Sequence, residues 1–418
     1  MTEAFNYHEL FINPTGSAFV GRLDLDTRTR DALGDATKKV KDRLRPFLKT
    51  LAENNGVDPQ YSTPRFRLQG SAVYGTQNYP AHPPEQQVDA DLGVYISASF
   101  MAATEQAPVR KPKVSDLARL YFEIVDRELR KLCREEGWDY AEGQKQNNKC
   151  CRIDLRRTGV AAHIDVPLYA APDDQFVRLV ESRRLAFEAL AKSFDSVELS
   201  MELDKDRFWD ELEVIVMAGR DGTWKESDVQ KAIQHFRDAM TNSGHPRVLQ
   251  RIWRFVKAWR DYVWRAGGGP SSILLMETVS RIVSDLRQEA EDLLGCGRDD
   301  RIMRQVFSRL GNHLQQSVWV HWDGDPEDLN ARSAEDRAAI AGEARRAASA
   351  LDRAACEETL NFAQVISLVR TVFGQRIPED VRLIKLSRSP VAGLASGAAA
   401  GPFIQPSPQK RVQRTTGA

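Results

Sequence analysis

Two aspartates, Asp89 and Asp91, stand two positions apart in Gln87-Val-Asp-Ala-Asp91, at the start of a run of strand formers, Leu92-Gly-Val-Tyr-Ile96. On a strand, residues i and i+2 face the same side, so both carboxylates converge on one point and call for a cation there. Hard oxygen donors of this kind suit Mg²⁺, which takes one or two carboxylates and fills its remaining positions with water and substrate phosphate. A third carboxylate, Asp165 in Ala162-His-Ile-Asp-Val166, lies in another strand candidate and completes a two-metal site if the two strands are neighbours. Upstream of the pair stands Gly70-Ser71. Glycine lets backbone N–H groups approach a phosphate, the serine hydroxyl adds a donor, and a helix start after them adds a favourable partial charge. The expected arrangement is a loop that grips a triphosphate while the aspartates hold metal on it. A D-x-D or a Gly-Ser alone is a weak signal, and the weight lies in their combination with Gln69, Tyr74 and Asp165. His163 reads as a packed or hydrogen-bonded strand-face histidine, and Cys150-Cys151 as small apolar packing residues.

The elements that must position these groups are legible from periodicity. Leu33, Val40, Leu44, Phe47, Leu48 and Leu51 give one buried stripe on a helix from Thr27 to about Asn54, and Ser115–Glu136 carries a second. Arg152–Leu155, Ala161–Leu168 and Leu212–Met217 are strand candidates, the last leading into a turn at Arg220-Asp-Gly-Thr223. Beyond Ser227 the pattern is helical: Ser227–Met240, Pro246–Trp264, Pro270–Leu294, Asp299–Gln316, Ser333–Asp352 and Glu357–Phe373. An α/β half therefore precedes an α half. The last stretch, rich in Gly, Ala, Pro and Ser, reads as a flexible tail.

Composition bounds the function classes. The 418 residues are 42% hydrophobic and 28% charged, enough for a full core in two lobes. Lys plus Arg equals Asp plus Glu at 59 each, which argues against a chain that coats nucleic acid. The five cysteines form no C-x-x-C pair, so neither a zinc ribbon nor a disulfide framework is expected, and a reducing cytosol is the better compartment. No export signal or apolar run of membrane-spanning length is visible.

Several blocks then recur in a familiar order. Phe5-Asn-Tyr-His8, Arg65-Phe-Arg-Leu-Gln-Gly-Ser71, Gln87-Val-Asp-Ala-Asp91, Lys149-Cys-Cys-Arg-Ile153, His163-Ile-Asp-Val-Pro-Leu-Tyr169, Lys257-Ala-Trp-Arg-Asp261, Gly268-Gly-Pro-Ser-Ser272 and Phe373-Gly-Gln-Arg376 span most of the chain outside the tail. Together they resemble the cGAS/DncV-like nucleotidyltransferases, most closely the bacterial cyclic GMP-AMP synthases of antiphage (CBASS) defence. The resemblance implies an α+β fold, a polymerase-β-like core joined to a helical lobe with the active site between them. It places the core with an N-terminal spine helix at 1–243, the helical lobe that contacts the acceptor nucleotide at 244–385 and the tail at 386–418. Asp89, Asp91 and Asp165 match the metal triad, and Gln69, Gly70, Ser71 and Tyr74 match the donor loop. Arg152 matches a phosphate-contacting arginine, although the run from it to Asp165 is slightly longer here. Ser227 matches a nucleotide-contacting serine, Lys257 and Ser272 match acceptor-side contacts, and Asp325 in His321-Trp-Asp-Gly-Asp-Pro-Glu327 is the guanine-reading candidate.

Read from the sequence alone, Lys257 is a solvated helix residue, and Ser227 and Ser272 are N-caps. Capping and ligand contact are compatible. What the resemblance implies further is ATP and GTP as substrates, two Mg²⁺ ions with Mn²⁺ as a possible substitute, a bacterial cytoplasmic location and an effector protein that senses the product. In relatives a small C-terminal residue is joined to targets by a ubiquitin-like ligase, which would make Ala418 the joined residue here; an ordinary frayed terminus is the plainer reading. Other cyclic di- or trinucleotides and linear oligonucleotides are alternative products, and a non-catalytic nucleotide-binding protein is the alternative of another class.

Overall fold

The computed structural model describes residues 3–103, 114–143, 147–173, 215–227, 229–289, 293–322 and 326–387. A seven-stranded mixed sheet organises the first lobe. In chain order its strands are β1 Arg65–Gln69, β2 Val88–Ser97, β3 Asp139–Tyr140, β4 Cys150–Asp154, β5 Ala162–Ala171, β6 Val216–Ala218 and β7 Trp224–Glu226. The path runs β1-β2-β5-β4-β3, with β6 also on β5 and β7 on β6. Only β2 and β5 pair in parallel.

The sheet is amphipathic by strict alternation. Ala90, Leu92 and Val94 of β2, Cys151 and Ile153 of β4, and Ile164, Val166 and Leu168 of β5 join one rear core. Two helices cover that face: α1 Thr27–Asn54, through Val40, Leu44 and Leu48, and, after a single turn α2 Gly70–Val73, the long α3 Val114–Glu136, through Tyr121, Val125 and Leu129. Odd-numbered residues of β2 and β5 are left to the front.

The second lobe consists of α4 Val229–Asn242, α5 Pro246–Val263, α6 Ser272–Glu289, α7 Asp299–Gln315, α8 Ala334–Cys356 and α9 Phe362–Phe373. Helix α5 is its axis, with Trp253, Phe255 and Trp259 wholly buried. Pro246 opens it, where a missing N–H costs nothing. Ser333 caps α8, and an Asn361–Gln364 capping box starts α9.

The differences from the sequence reading have local causes. Strand β2 begins at Val88 rather than Leu92, so the aspartates are inside it. Helix α9 starts at Phe362 rather than Glu357, because Asn361 is the cap. Strand β6 begins at Val216, and residues 212–214 of the expected strand lie outside the described residues. Two-residue strands at Trp319–Val320 and Glu327–Asp328 pair with each other and are too short for periodicity to show. Packing also crosses the expected boundary at 243: Phe5, Tyr7, Phe11 and Phe19, with Ile233 and Phe236 of α4, belong to the core of the helical lobe. Phe11 lies 5.3 Å from Phe255, ring to ring. The expected tail opens in a strand, since Leu386 pairs with Phe5, and residues 388–418 with Ala418 lie outside the described residues. Among the described residues no helix is long and apolar enough to cross a membrane.

Leu44, wholly buried between α1 and the sheet, tests this account of the rear face. Leu44→Ala is expected to destabilise the protein by about 2–5 kcal/mol in denaturant unfolding. Leu68→Ala, at a side chain 40% exposed on β1, is expected to change it by less than about 0.5 kcal/mol.

Candidate active site

Strand register assembles the site. Asp91 stands opposite Asp165 and Asp89 opposite His163 across the β2–β5 pair. On its other edge β5 sets Asp165 opposite Arg152 and His163 opposite Asp154. Directly opposed residues project to one side, so all of these line the front face. Arg152 grips Asp165 as a fork, Nε to Oδ1 and Nη2 to Oδ2, both at 2.6 Å. His163 Nε2 is 3.0 Å from Asp89 Oδ1. One donor atom from each of Asp89, His163 and Asp165 lies within 4.8 Å of the others, a donor set that fits a divalent cation.

Gly70 is glycine for a reason visible here: its φ is +60°, and a Cβ would come within 2.2 Å of Asp91 Oδ2. The helix expected after Gly70-Ser71 is one turn, α2, so the loop offers backbone N–H groups and the Ser71 hydroxyl but little helix dipole.

Burial and neighbouring charges together set the titration of Asp91 and Asp89. Desolvation pushes Asp91 up to about 7, and the neighbouring charges of Asp89 and Asp165 add to it. Burial acts the same way on Asp89, but the His163 ring, then Arg152 and Lys257, outweigh it and hold Asp89 below the usual carboxylate range.

The front face floors a cleft of about 1640 Å³, walled by the helical lobe. That exceeds the roughly 300–1,000 Å³ typical of a site for one small ligand. Ser71, Ser227, Lys257 and Ser272 all border it. Lys257 is no solvated residue: it is 4% exposed, and its Nζ donates to the Thr76 carbonyl at 2.6 Å and lies 3.2 Å from Thr76 Oγ1. Burial, with the nearby Arg260 charge, lowers it to about 7. Ser272 does not cap α6. The Ser271 hydroxyl accepts from Leu274 N–H at 3.2 Å, while Ser272 Oγ accepts from Arg260 Nη1 at 2.8 Å. Ser227 precedes α4, whose first residue is Val229, and its N–H donates to the Ile215 carbonyl.

Gln69 and Tyr74 border the cleft yet are committed to structure. The buried Gln69 amide donates to Tyr95 and accepts from Tyr169 at 3.1 Å, beneath a stacked Tyr95–Tyr169 pair. The Tyr74 ring packs edge-on to Phe236 at 5.3 Å, and burial pushes its hydroxyl up to about 12. Asp325 lies outside the described residues; Trp322 and Glu327 on either side of it border the cleft. Sequence reasoning missed His163 as a member of the cluster. The signal was present, since His163 and Asp165 are two apart on a strand, the same parity that paired Asp89 with Asp91. Arg260 and Trp264 of the cleft wall were also missed.

Two family models match this chain: cyclic GMP-AMP synthase DncV-like, nucleotidyltransferase domain, over residues 64–169, and cyclic GMP-AMP synthase, C-terminal domain, over residues 246–386. Among curated proteins, a cyclic GMP-AMP synthase of Vibrio cholerae is 33% identical over 238 residues, 55% of this chain and 50% of the relative. One of Escherichia coli is 35% identical over 254 residues, 59% of this chain and 54% of the relative. The matched region thus spans about half the length of these relatives. A crystal structure of Vibrio cholerae DncV cyclic AMP-GMP synthase with the linear intermediate 5′ pppA(3′,5′)pG aligns with a TM-score of 0.69 at 23% identity, covering 93% of this chain and 100% of that one. A DncV variant in complex with ATP, GTP and 5MTHFGLU2 aligns at 0.68 and 23%, covering 92% and 100%. At that identity the likeness establishes the two-lobed fold.

A proton and a cation compete for Asp91. A carboxylate raised to about 7 is protonated below that pH and free to bind above it, so cation affinity rises with pH and levels off past 7. Calorimetric titration with Mg²⁺ is expected to show affinity falling roughly fivefold from pH 7 to pH 6. Asp91→Asn is expected to bind weakly with a flatter profile.

Proposed function

This chain belongs to the DncV-like nucleotidyltransferase family, and on that premise we propose that it joins ATP and GTP into 3′,3′-cyclic GMP-AMP in the bacterial cytoplasm, as the messenger of an antiphage response read by an effector protein. The observation that carries the reading is the placing of Asp89 and Asp91 at the floor of a cleft roomy enough for two nucleotides, with Asp165 opposite Asp91 on the paired strand. Their carboxylates would hold Mg²⁺, with Mn²⁺ as a substitute. When bound, the cations would offset triphosphate charge and lower the pKa of an attacking ribose hydroxyl.

The chain's own residues do the rest by positioning and charge. The Gly70 backbone and the Ser71 hydroxyl, pressed against Asp91, bind the donor triphosphate beside the carboxylates. Arg152 reaches the same place from β4 and shares its charge between Asp165 and a phosphate. Opposite, Lys257, Arg260 and Ser272 border the space for the acceptor nucleotide, and Trp264 and Trp322 offer ring surface to a base. In each of two successive transfers a ribose hydroxyl attacks the α-phosphorus of a triphosphate, one P–O bond forms, and pyrophosphate leaves with the electron pair of the bond that breaks. Between them the linear intermediate turns over, so that its remaining triphosphate becomes the donor.

The test is product analysis: purified protein with each NTP singly and in pairs plus Mg²⁺, phosphatase treatment, then mass spectrometry. A phosphatase-resistant cyclic GMP-AMP made only from ATP plus GTP, and absent from Asp89→Ala/Asp91→Ala, is expected. A cyclic product of other bases overturns the choice of substrates. Linear products, or none, overturn the synthase.

A further inference from the structure

Trp322 borders the cleft with little to hold its ring in place. It follows the strand Trp319–Val320, two residues long and paired with the equally short Glu327–Asp328. Its indole Nε1 is buried and, among the described residues, has no hydrogen-bond partner. Stacking depends on the plane of the ring that a base meets, so something else must set that plane. Behind the ring stands a carboxylate to which the nucleotide reading gives no task. Glu277 on α6 is 4% exposed and does not border the cleft. Each of its oxygens has a partner. Arg281 Nε, one turn along the same helix, donates to Oε1 at 2.7 Å, and His235 Nε2 on α4 lies 2.6 Å from Oε2. An ionised carboxylate only accepts, so Nε2 is the donor. Burial acts to raise the Glu277 carboxyl, but the His235 and Arg281 bonds outweigh it and hold it below the usual carboxylate range. Both partners then reach the same short run. Arg281 Nη2 donates to the Trp319 carbonyl, and the His235 ring lies 5.9 Å from that of Trp322. Stability alone does not ask for a charge here, since apolar side chains of similar volume often replace a buried ion pair at no cost. They cannot, however, fix the direction of two donors at once.

We propose that Glu277 is a positioning residue for base binding: through Arg281 and His235 it sets the strand and the ring plane of Trp322, on which one of the two bases stacks. This rests on the nucleotide reading of the cleft and adds to it the group that orders one base platform.

The experiment is calorimetric binding of the α,β-methylene analogues of ATP and GTP, with Mg²⁺, to the full chain as wild type, Glu277→Gln, Trp322→Ala and the double variant. Glu277→Gln is expected to weaken one analogue roughly tenfold, and Trp322→Ala to weaken the same analogue at least as much. The double variant is expected to match Trp322→Ala, because a residue that acts through Trp322 then has nothing left to act through. In protein labelled with fluorotryptophan, the Trp322 fluorine resonance, assigned by its loss in Trp322→Ala, is expected to move in Glu277→Gln before any nucleotide is added. Unchanged binding in Glu277→Gln, or losses that add in the double variant, overturns the role of Glu277 while leaving a nucleotide cleft in place. Wild type that binds neither analogue overturns the nucleotide reading and this role with it. Arg281→Met, at a partly exposed side chain, carries the same cycle if Glu277→Gln fails to fold.

Discussion

Asp91 faces Asp165 because Val88–Ser97 and Ala162–Ala171 pair in parallel in one register, and that register is fixed from behind. Side chains on a strand alternate with a period of two, so a slip of one residue would turn Ala90, Leu92, Ile164 and Val166 into the cleft and drive the carboxylates into the apolar packing of α1 and α3. Burying a row of charges there would cost far more than any front-face contact could return. The acids are therefore held in place less by what they touch than by the aliphatic residues between them. Arg152, His163 and Gly70 are placed by the same choice, since each is set against β2 or β5 by pairing or by close approach.

The three carboxylates are accommodated in three separate ways. Asp165 takes a guanidinium fork, Asp89 takes the His163 ring at its side, and Asp91, desolvated and flanked by the charges of the other two, shifts toward holding a proton near neutral pH. None of these is a permanent bond, so each can give way to a metal or a phosphate. The far wall follows the same logic with the opposite sign. Lys257 is buried beside Arg260, is lowered to about 7, and finds its acceptors in a carbonyl and a hydroxyl of Thr76 rather than in a carboxylate. A buried ammonium that leans on neutral oxygens is charged only conditionally.

What was legible in the sequence follows from the range of each signal. The long helices and the Asp89–Asp91 parity are local patterns, and they recur within a few residues in the structure. The third aspartate and the glycine-serine loop were read from residue type and strand or loop context, and the order of family blocks gave them their roles. Contacts between strands and between lobes have no local pattern, which is why His163 was left out of the carboxylate cluster, Lys257 looked solvated, and the packing of residues 5–19 against the helical lobe did not show. Ser272 shows a finer limit: two serines follow Pro270, and nothing in the local sequence says that Ser271 caps while Ser272 turns to Arg260.

The segment from Tyr74 to Gln86 lies between the glycine-serine loop and the aspartates. It lies laced to the helical lobe: Gln250 donates to the Tyr74 carbonyl, Lys257 to that of Thr76 and Arg376 to that of Tyr79, while Gln86 donates to the carbonyls of Asp261 and Trp264. At its centre the Gln77 amide donates to the Asp89 carbonyl at 3.0 Å. Three of these bonds end on the segment's own main-chain oxygens and fix its path directly, and the other three anchor it through the Gln77 and Gln86 side chains. That path runs from the glycine-serine loop to the strand that carries Asp89, and between them it is held by the wall that faces both. A rotation of the helical lobe would therefore draw on the loop and on Asp89 together, which makes the donor and acceptor halves of the cleft one mechanical unit.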